Sequence, residues 1–295
     1  MPEAFIDAHQ HFWEHARNPQ DWISPGMEPL TEDFGPARLA PELARRDGPA
    51  GFARSVLVQA THSDAETDWY LDLAEAHPRI AGVVGWVDLT SEALDDRLDE
   101  LAERPKLRGI RHVVQAEPDD RWLLSPAVLR GLERLRERGL RFDLLILTKH
   151  LPLVPELCER LPGLPMVIDH LAKPPLASGD LDGWRRGIDA AARCEGLHAK
   201  LSGLVTEADH ARWTADDLAP AVRHAVDCFG PDRLMAGSDW PVCLLAASHP
   251  RTVDVLEEIL PRSADPDAIF GGTARRFYGL DPAPAASAPP ELDHA

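Results

Sequence analysis

Eight short runs of apolar and β-branched residues recur along the chain, and each ends in polar or glycine-containing sequence. The runs are FIDAHQH (5–11), SVLVQA (55–60), GVVGWVDL (82–89), LRGIRHVV (107–114), FDLLIL (142–147), PMVIDH (165–170), LHAKLSG (197–203) and RLMAGSDW (233–240). The segments between them have helical periodicity, and strands that alternate with helices are typical of a buried parallel sheet. Eight such units within residues 1–280 predict a single-domain (β/α)8 TIM barrel in preference to an open sheet.

Local start and stop signals support the predicted helices. Ser63, followed three residues later by Glu66, is typical of a capping box, in which two side chains bind backbone N–H groups of the first turn. Thr214 and Asp217 repeat this pattern before a segment whose apolar residues recur every three or four positions. Gly139 can end a further helix in the left-handed conformation. These signals place helices where a barrel of this type needs them.

Two segments depart from the alternation. Residues 12–54, between the first and second strands, begin with the Trp- and Pro-rich stretch FWEHARNPQDWISPGMEPL. A loop of this length in a compact barrel is usually functional, so we expect a lid or wall over a binding site. Residues 281–295, DPAPAASAPPELDHA, can bury too little apolar surface to fold. We expect a disordered tail there, with no chemical role for His294.

The charge balance restricts the partners of the chain. Its 49 acidic and 31 basic residues give a formal net charge of −18, which repels nucleic-acid phosphates and anionic membrane surfaces. No run reaches the ~18 consecutive apolar residues of a membrane helix, and no basic region followed by an apolar core marks a signal peptide. We therefore expect a cytoplasmic protein that acts on a small molecule. The sequence leaves open whether it forms a homo-oligomer.

The cysteines do not form a recognisable site. They are widely spaced and include no CxxC pair; their positions are Cys158, Cys194, Cys228 and Cys243. This spacing favours reduced, mostly buried thiols over a disulfide framework or a zinc cluster, and we expect none of them to act as a nucleophile.

Titratable side chains cluster at the ends of the predicted strands. In barrel enzymes the C-terminal strand ends build the active site, so these positions are the first to inspect. In chain order they carry Asp7, His9, His11, Gln59, His62, Trp86, Asp88, Arg111, His112, Lys149, His150, Asp169, His170, Lys173, Lys200, Ser202, Asp239 and Trp240.

The spacing of His9 and His11 indicates a shared role. Side chains along a strand alternate between its two faces, so both imidazoles point the same way and can bind one ion. His170 and Asp239, at the ends of other strands, would complete a three-histidine, one-aspartate set suited to Zn²⁺ or another divalent metal. Such an ion lowers the pKa of bound water, and a neighbouring carboxylate can take the proton and pass it to the leaving group.

Each of these residues also has a simpler interpretation when taken alone. A His-x-His pair near an N-terminus is more often structural or solvated than metal-bound. An aspartate at a strand end, such as Asp169 or Asp239, can cap the following helix. The occurrence of all these residues at strand ends favours a shared site over separate structural roles, because the barrel would bring His9, His170 and Asp239 to the same rim. A shared catalytic site is therefore the favoured hypothesis, with Asp239 and His170 as catalytic residues.

Further residues at the strand ends are candidates for substrate binding. Arg111 and His112 are adjacent, so only one faces the pocket, and Arg111 can equally form a structural ion pair. Lys173 can reach the pocket or lie in a solvated turn. Tryptophans can stack on a sugar ring or belong to the core; they are Trp13, Trp22, Trp86 and Trp240. The substrate-binding candidates are Gln59, Trp86, Arg111, His112, His150, Lys173 and Trp240. We expect structural roles for His77, His198, His210, His224 and His249.

At this point the sequence resembles the sugar-lactone hydrolase branch of the amidohydrolase superfamily, which includes relatives of L-fuconolactonase and L-rhamnonolactonase. The resemblance runs from about residue 4 to residue 280. It is carried by FIDAHQHFW, VLVQA, GVVGWVDL, GIRHVVQAEPDDRWLLSP, VIDHLAKP, KLSGL, DRLMAGSDWPVC and ARRFYGL. It implies a (β/α)8 barrel that opens a lactone ring with water to give an aldonic acid.

The resemblance also implies roles for individual residues. His9 and His11 match the paired histidines of the first strand, His170 the histidine of the sixth, and Asp239 the aspartate of the eighth, expected as general base. Many superfamily members use a lysine or glutamate on the fourth strand, or a histidine on the fifth, as a further metal ligand. This chain departs from that pattern, with GIRH and FDLLILTKH in those places. One divalent ion, with Zn²⁺ the expected metal, can be bound, and its requirement is open.

Two mechanisms fit this pattern. In the first, the ion polarises the lactone carbonyl while Asp239 moves the proton. In the second, Asp239 activates water without a metal, and His170, with Arg111 or the first-strand histidines, stabilises the oxyanion. The alternative activities on the same rim are hydrolysis of a dicarboxylate or aromatic lactone and metal-dependent decarboxylation, which call for several arginines. A noncatalytic sugar-binding barrel is a third hypothesis, against which the intact site residues argue.

Overall fold

The computed structural model describes residues 4–48, 51 and 53–282. Residues 283–295 of the predicted tail (281–295) lie outside the described residues. The disorder of this tail therefore stays a prediction. Among the helices that are described, none has the length and apolar content required to cross a bilayer.

Eight parallel strands form one sheet whose spatial order is the chain order. They are β1 (Ile6–Gln10), β2 (Arg54–Val58), β3 (Ile80–Gly85), β4 (Leu107–His112), β5 (Arg141–Leu144), β6 (Met166–Ile168), β7 (His198–Leu201) and β8 (Leu234–Ala236). Each strand lies within or overlaps one predicted run, and most end a few residues earlier, because the polar ends of the runs leave the sheet to form loops. The predicted (β/α)8 TIM barrel is confirmed.

The barrel closes where the segment after β8 meets β1. The backbone N–H of Asp239 donates to the carbonyl of His9 at 2.8 Å, and the N–H of His11 donates to the carbonyl of Trp240 at 2.7 Å. Gln10 and Trp240 form a parallel bridge at the same place. These bonds hold the residues of the first and last strand ends side by side.

The helices lie between successive strands and after β8. They are α1 (Pro36–Ala44), α2 (Asp64–Ala76), α3 (Leu94–Ala102), α4 (Pro126–Glu137), α5 (Val154–Arg160), α6 (Asp182–Ala192), α7 (Leu204–Glu207), α8 (Ala215–Phe229), α9 (His249–Ile259) and α10 (Thr273–Tyr278). Thr214 and Asp217 form the predicted capping box of α8, with Asp217 accepting from the Thr214 N–H at 2.7 Å. Gly139, after α4, has the expected positive φ of 68°.

Two local predictions need correction. The 12–54 segment is not irregular throughout, because it contains α1, whose Leu39 and Leu43 pack into the core. At the start of α2, Ser63 Oγ accepts from the Glu66 N–H as predicted, but the Glu66 carboxylate does not return to Ser63. It accepts instead from the N–H groups of Ala60 and Thr61, because the β2–α2 turn brings them within 3.0 Å.

Apolar side chains form two buried groups. The larger group fills the space between the strands and the surrounding helices, with residues such as Leu57, Leu132 and Ile188. The smaller group joins strand residues such as Val56 to Phe277 of the C-terminal helix α10. Apolar side chains therefore pack on both faces of the sheet, whereas polar residues occupy the C-terminal ends of the strands.

Candidate active site

Three of the predicted ligands converge on one point. His9 Nε2 lies 3.2 Å from His11 Nε2, and Asp239 Oδ1 lies 3.2 Å from His11 Nε2 and 3.7 Å from His9 Nε2. His9 is fully buried, and His11 and Asp239 are each 4% exposed. The closure of the barrel brings the ends of β1 and β8 together in this way.

Hydrogen bonds fix which nitrogen of each imidazole faces the point of convergence. His11 Nδ1 lies 2.7 Å from the carbonyl oxygen of Val58, and a carbonyl can only accept, so Nδ1 carries the proton. His9 Nε2 lies 3.2 Å from Nη1 of Arg111, and a guanidinium can only donate. His9 Nε2 therefore accepts from Arg111, and in both imidazoles Nε2 is the nitrogen that lies beside Asp239. Burial also lowers the pKa of His9 well below its usual value, which keeps this ring neutral.

His170 reaches the same site from an unusual turn. His170, Leu171, Ala172 and Lys173 all have positive φ, between 50° and 58°, a conformation that costs energy in residues other than glycine. His170 Nδ1 lies 2.8 Å from Ser202 Oγ, and its Nε2 lies 4.0 Å from Asp239 Oδ1. Burial lowers the pKa of His170 to about 4, so the ring is neutral at neutral pH. The turn after β6 thus adds a third neutral imidazole.

Asp239 is an ionised carboxylate in a nearly closed environment. Burial alone would raise its pKa, but the imidazoles of His170 and His11 beside the carboxylate hold the pKa below its usual range. Its own φ is 57°, in the left-handed region, and its backbone is held by the bond to His9. A charged carboxylate held at the end of β8 can accept a proton.

The donor set fits a zinc ion. Ligand atoms around a tetrahedral Zn²⁺ with Zn–N distances near 2.0 Å are separated by ~3.3 Å, close to the measured separations of 3.2, 3.2 and 3.7 Å. Two neutral imidazoles and a carboxylate are ligands that zinc prefers. His170 Nε2 lies 4.0 Å from Asp239 Oδ1, at the edge of this donor set.

Arg111 supplies a positive charge at the edge of this cluster. Its Nη1 lies 3.2 Å from Asp169 Oδ2 and 3.2 Å from His9 Nε2, and Nη2 donates to the carbonyl of Gln59. The guanidinium and a metal ion would compete for the lone pair of His9. Of the adjacent pair Arg111 and His112, Arg111 is the one that faces the pocket.

A buried charge network lies beneath His9, and it joins Asp169 and Lys200, which the strand ends predict as titratable residues, to Asp143, which is not among those predictions. Lys200 Nζ lies 2.6 Å from Asp143 Oδ2, 3.0 Å from Asp169 Oδ1 and 3.1 Å from His9 Nδ1. Tyr278 donates to Asp143 Oδ2 at 2.7 Å. Burial raises the pKa of Asp143, whereas Lys200 and His9 hold the pKa of Asp169 below its usual value although burial opposes them. The sequence does contain a sign of this network, because a charged residue interrupts each of two apolar runs: Asp143 in FDLLIL and Lys200 in LHAKLSG.

A second polar network supports β1 from the other side. Asp7 accepts from the N–H of Ser238 at 2.8 Å and from its hydroxyl at 2.6 Å, and Asp7 Oδ2 lies 3.3 Å from His249 Nε2. All three side chains are buried. They connect β1, the residues after β8 and α9, and so position the backbone that carries His9 and Asp239.

A cavity of about 750 Å³ opens over the cluster at the C-terminal ends of the strands. His11, His170 and Asp239 form part of its lining, together with Arg111 and Lys173. The 12–54 segment supplies a wall of the cavity, as predicted, through Pro19, Asp21, Trp22 and Met27. The lining also includes His62, Thr206, Glu207 and His210. Lys173 Nζ lies 3.6 Å from Glu207 Oε1.

Five of the predicted substrate-binding residues do not line this cavity; they are Gln59, Trp86, His112, His150 and Trp240. Gln59 is buried and donates to the carbonyl of Arg111 at 3.1 Å. Trp240 is buried against Phe12 and Phe34. His150 Nδ1 accepts from the Leu147 N–H. We therefore do not propose these residues as direct contacts of the substrate.

His112 belongs instead to an aromatic stack beside the cavity. Its ring lies between those of His62 and Trp122, with centroid distances of 4.0 and 3.9 Å. Both of its ring nitrogens have hydrogen-bond partners: Nδ1 accepts from Trp86 Nε1 at 3.2 Å, and Nε2 lies 2.7 Å from Glu117 Oε1. The stack holds His62 at the wall of the cavity. The sequence alone predicts no role for this residue.

Comparison with known proteins identifies relatives that match nearly the whole chain. The chain is 39% identical over 285 residues to the L-fucono-1,5-lactonase of Burkholderia ambifaria, covering 94% of this chain and 96% of that protein. It is 40% identical over 296 residues to the L-fucono-1,5-lactonase of Burkholderia multivorans, covering 95% and 97%. The crystal structure of an amidohydrolase from Burkholderia multivorans with bound zinc is similar with a TM-score of 0.87 and 38% identity, covering 94% of this chain and 99% of that one.

The sequence profile described as amidohydrolase matches residues 6–280, nearly the whole described chain. This range agrees with the extent of the resemblance inferred from the sequence motifs. The resemblance to the superfamily and to its lactonase branch is thereby confirmed, as is the prediction of an enzyme. The chain belongs to the amidohydrolase family.

Proposed function

We propose that this protein hydrolyses the ring ester of a sugar lactone of the L-fucono-1,5-lactone type, giving the aldonic acid. The observation that carries the proposal is the ionised, buried carboxylate of Asp239, which lines a cavity beside His11 and His170. The names of the two relatives, which match over nearly their full length, support the choice of a sugar lactone.

Asp239 acts as the general base in this mechanism. Its carboxylate accepts a proton from a water molecule, whose oxygen then attacks the lactone carbonyl carbon to give a tetrahedral oxyanion. The carbon–oxygen bond of the ring breaks, and Asp239 returns the proton to the ring oxygen, which leaves as a hydroxyl group. The product is an open chain with one carboxyl group and one new hydroxyl group.

The residues around Asp239 prepare it for this step. His11, fixed by Val58, directs Nε2 at the carboxylate and orients it. Arg111 provides positive charge at the same rim, where it can favour the oxyanion. A zinc ion held by His9, His11, Asp239 and His170 would polarise the lactone carbonyl and acidify the attacking water. We infer that the site can bind such an ion, and the assay below determines whether hydrolysis requires it.

The cavity suits a neutral, polyhydroxylated ligand. Its described lining contains two permanently cationic side chains, Arg111 and Lys173, and each already contacts a carboxylate, Asp169 or Glu207. A dicarboxylate lactone or an aromatic acid needs free cations to balance its charge, so these alternatives are not favoured. The Lys173–Glu207 pair offers both donors and acceptors to sugar hydroxyls.

Trp22 supplies an apolar surface for the sugar ring. It is 39% exposed, yet its indole N–H donates to Gln20 Oε1 at 2.8 Å and its ring packs edge-on against Trp13. The buried Gln20 in turn donates to the carbonyl of Asn18. An exposed aromatic face held in one orientation at a cavity wall can stack on the C–H groups of a sugar.

A pH-indicator assay with purified protein tests the proposal. The panel contains L-fucono-, L-galactono-, L-rhamnono- and D-arabinono-lactones, each with and without a chelator, and spontaneous hydrolysis is subtracted. We expect L-fuconolactone and the related L-galactonolactone to be opened fastest. Failure to accelerate any of the four would overturn the proposed function. Loss of the rate with chelator and recovery with Zn²⁺ would show that the metal is required.

A further inference from the structure

A second group of metal-binding side chains lies away from the active site, between α6 and α8. His224 and Cys228 are four residues apart on α8, so they project from the same side of that helix. Asp189 on α6 faces them: its Oδ1 lies 2.9 Å from His224 Nε2, and the Cys228 thiol donates to the same oxygen at 3.1 Å. One nitrogen, one sulfur and one oxygen thus meet at a single point.

His224 presents a buried nitrogen to the Asp189 carboxylate. Its Nε2 is buried and has no hydrogen-bond partner, since the contact with Asp189 lacks hydrogen-bond geometry. The indole of Trp184 lies 5.5 Å from the imidazole and restricts its movement. A buried nitrogen without a partner is costly, and a metal ion accepting its lone pair would remove that cost.

From these observations we propose that Asp189, His224 and Cys228 form a second metal site, which binds a zinc-class divalent cation. Imidazole, thiolate and carboxylate are the three ligand types of protein zinc sites, and a histidine and a second ligand at i and i+4 on one helix are a known chelating spacing. On binding, the Cys228 thiol loses its proton to solvent as the metal–sulfur bond forms.

The site leaves room for solvent as a fourth ligand. The side chains of His224 and Asp189 are 24% and 43% exposed, so an ion can enter and keep a water molecule. The three residues are distinct from those of the active-site cluster and belong to two packed helices of the barrel surface. The ion would link α6 to α8, which is a structural role and requires no lactone chemistry.

Cobalt substitution distinguishes this site from the catalytic one. A cobalt(II)–thiolate bond gives an intense ultraviolet charge-transfer band, and the active-site cluster of His9, His11, His170 and Asp239 offers no thiolate. We expect titration of the metal-free protein with Co²⁺ to produce this band. The band should be lost in Cys228→Ser and in His224→Gln, whereas Cys158→Ser, which removes another half-buried thiol, should retain it.

Metal analysis provides the second measurement. After loading with Zn²⁺ and removal of free ions, the wild type should retain one more equivalent of zinc than Cys228→Ser, and lactonase activity should be the same in both. Absence of the thiolate band in the folded wild type when the active site is loaded would overturn the proposal. Persistence of the band in Cys228→Ser would do the same. Neither result depends on which substrate the enzyme hydrolyses.

Discussion

The imidazole of His11 donates its Nδ1 proton to the backbone carbonyl of Val58, 2.7 Å away, and this bond holds Nε2 of the same ring 3.2 Å from Asp239 Oδ1. This hydrogen bond joins the end of β1 to β2. It also sets which nitrogen of His11 contacts the carboxylate of Asp239, after β8. Metal-binding histidines commonly have their second nitrogen fixed in this way. The position of the catalytic carboxylate thus depends on backbone groups as well as on side chains.

Replacing Gly203 should impair catalysis through His170. Gly203 has a φ of 63°, and a Cβ atom there would lie 2.6 Å from His170 Nδ1. Gly203→Ala should therefore displace the imidazole and lower kcat by roughly 10-fold or more. Gly139→Ala is the matched control, because Gly139 has a φ of 68° and open space around it. Gly139→Ala should lose about 1–2 kcal/mol of stability from its positive φ alone, and Gly203→Ala should lose more because its Cβ also displaces His170. Equal kcat values for the two would contradict this role of Gly203.

Removing the charge of Lys200 should destabilise the whole barrel. Its ammonium group is fully buried between Asp143 and Asp169, so Lys200→Met leaves Asp143 without its cation and Asp169 with Arg111 alone. We expect a loss of about 3–5 kcal/mol in the free energy of unfolding, measured with denaturant. Lys149→Met, which breaks the exposed pair with Asp120, should change stability far less. A small effect at Lys200 would show that the buried network is dispensable.

Trp22 should contribute to substrate binding more than to chemistry. Trp22→Ala removes the apolar surface at the cavity wall, and we expect KM for the best lactone to rise roughly 2- to 10-fold with kcat nearly unchanged. Trp22→Phe keeps an aromatic face and should recover most of the loss. Steady-state kinetics on the three proteins measures this. A fall in kcat at constant KM would place Trp22 outside the binding wall.

His62 should make stability depend on pH. The partial burial of its ring in the aromatic stack and, to a smaller extent, the neighbouring His112 lower its pKa from 6.5 to about 4. The unfolded chain therefore binds the proton first, and stability present above pH ~6.5 is lost as the pH falls toward the folded-state pKa. His62→Phe retains the aromatic stack with His112 and Trp86 and should lose less stability between about pH 7 and pH 5. Denaturant unfolding at the two pH values makes the comparison; identical losses would exclude His62 as the source.

The sequence predicted the parts of the fold and site that depend on local pattern. The apolar runs located all eight strands, and the rule that strand ends carry the active site brought out His9, His11, His170 and Asp239, which the structure brings together. The two-residue spacing of His9 and His11 was sufficient to predict that both lie on the same face of a strand. Arg111 could not be separated from His112 in the sequence, because adjacent residues differ only in which side of β4 they occupy.

The remaining features depend on contacts between distant segments. Lys200 and Asp143 are 57 residues apart and pair only because β5 and β7 both flank β6 in the closed barrel. The left-handed turn at His170 contains no glycine at the strained positions, so it carries no sequence signal. Trp240 is a predicted pocket residue because a tryptophan at a strand end can stack on a sugar ring, but the barrel closure buries its ring in the core. Burial of this kind becomes visible only in three dimensions.

The central claim is that Asp239 is the base that activates water. Asp239→Asn keeps the size of the side chain and removes its proton-accepting charge. For the best lactone of the panel, we predict that kcat/KM falls by roughly 100-fold or more. The exposed Asp209→Asn should retain full activity, and circular dichroism should show both variants folded. An Asp239→Asn variant with near wild-type kcat/KM would contradict the account.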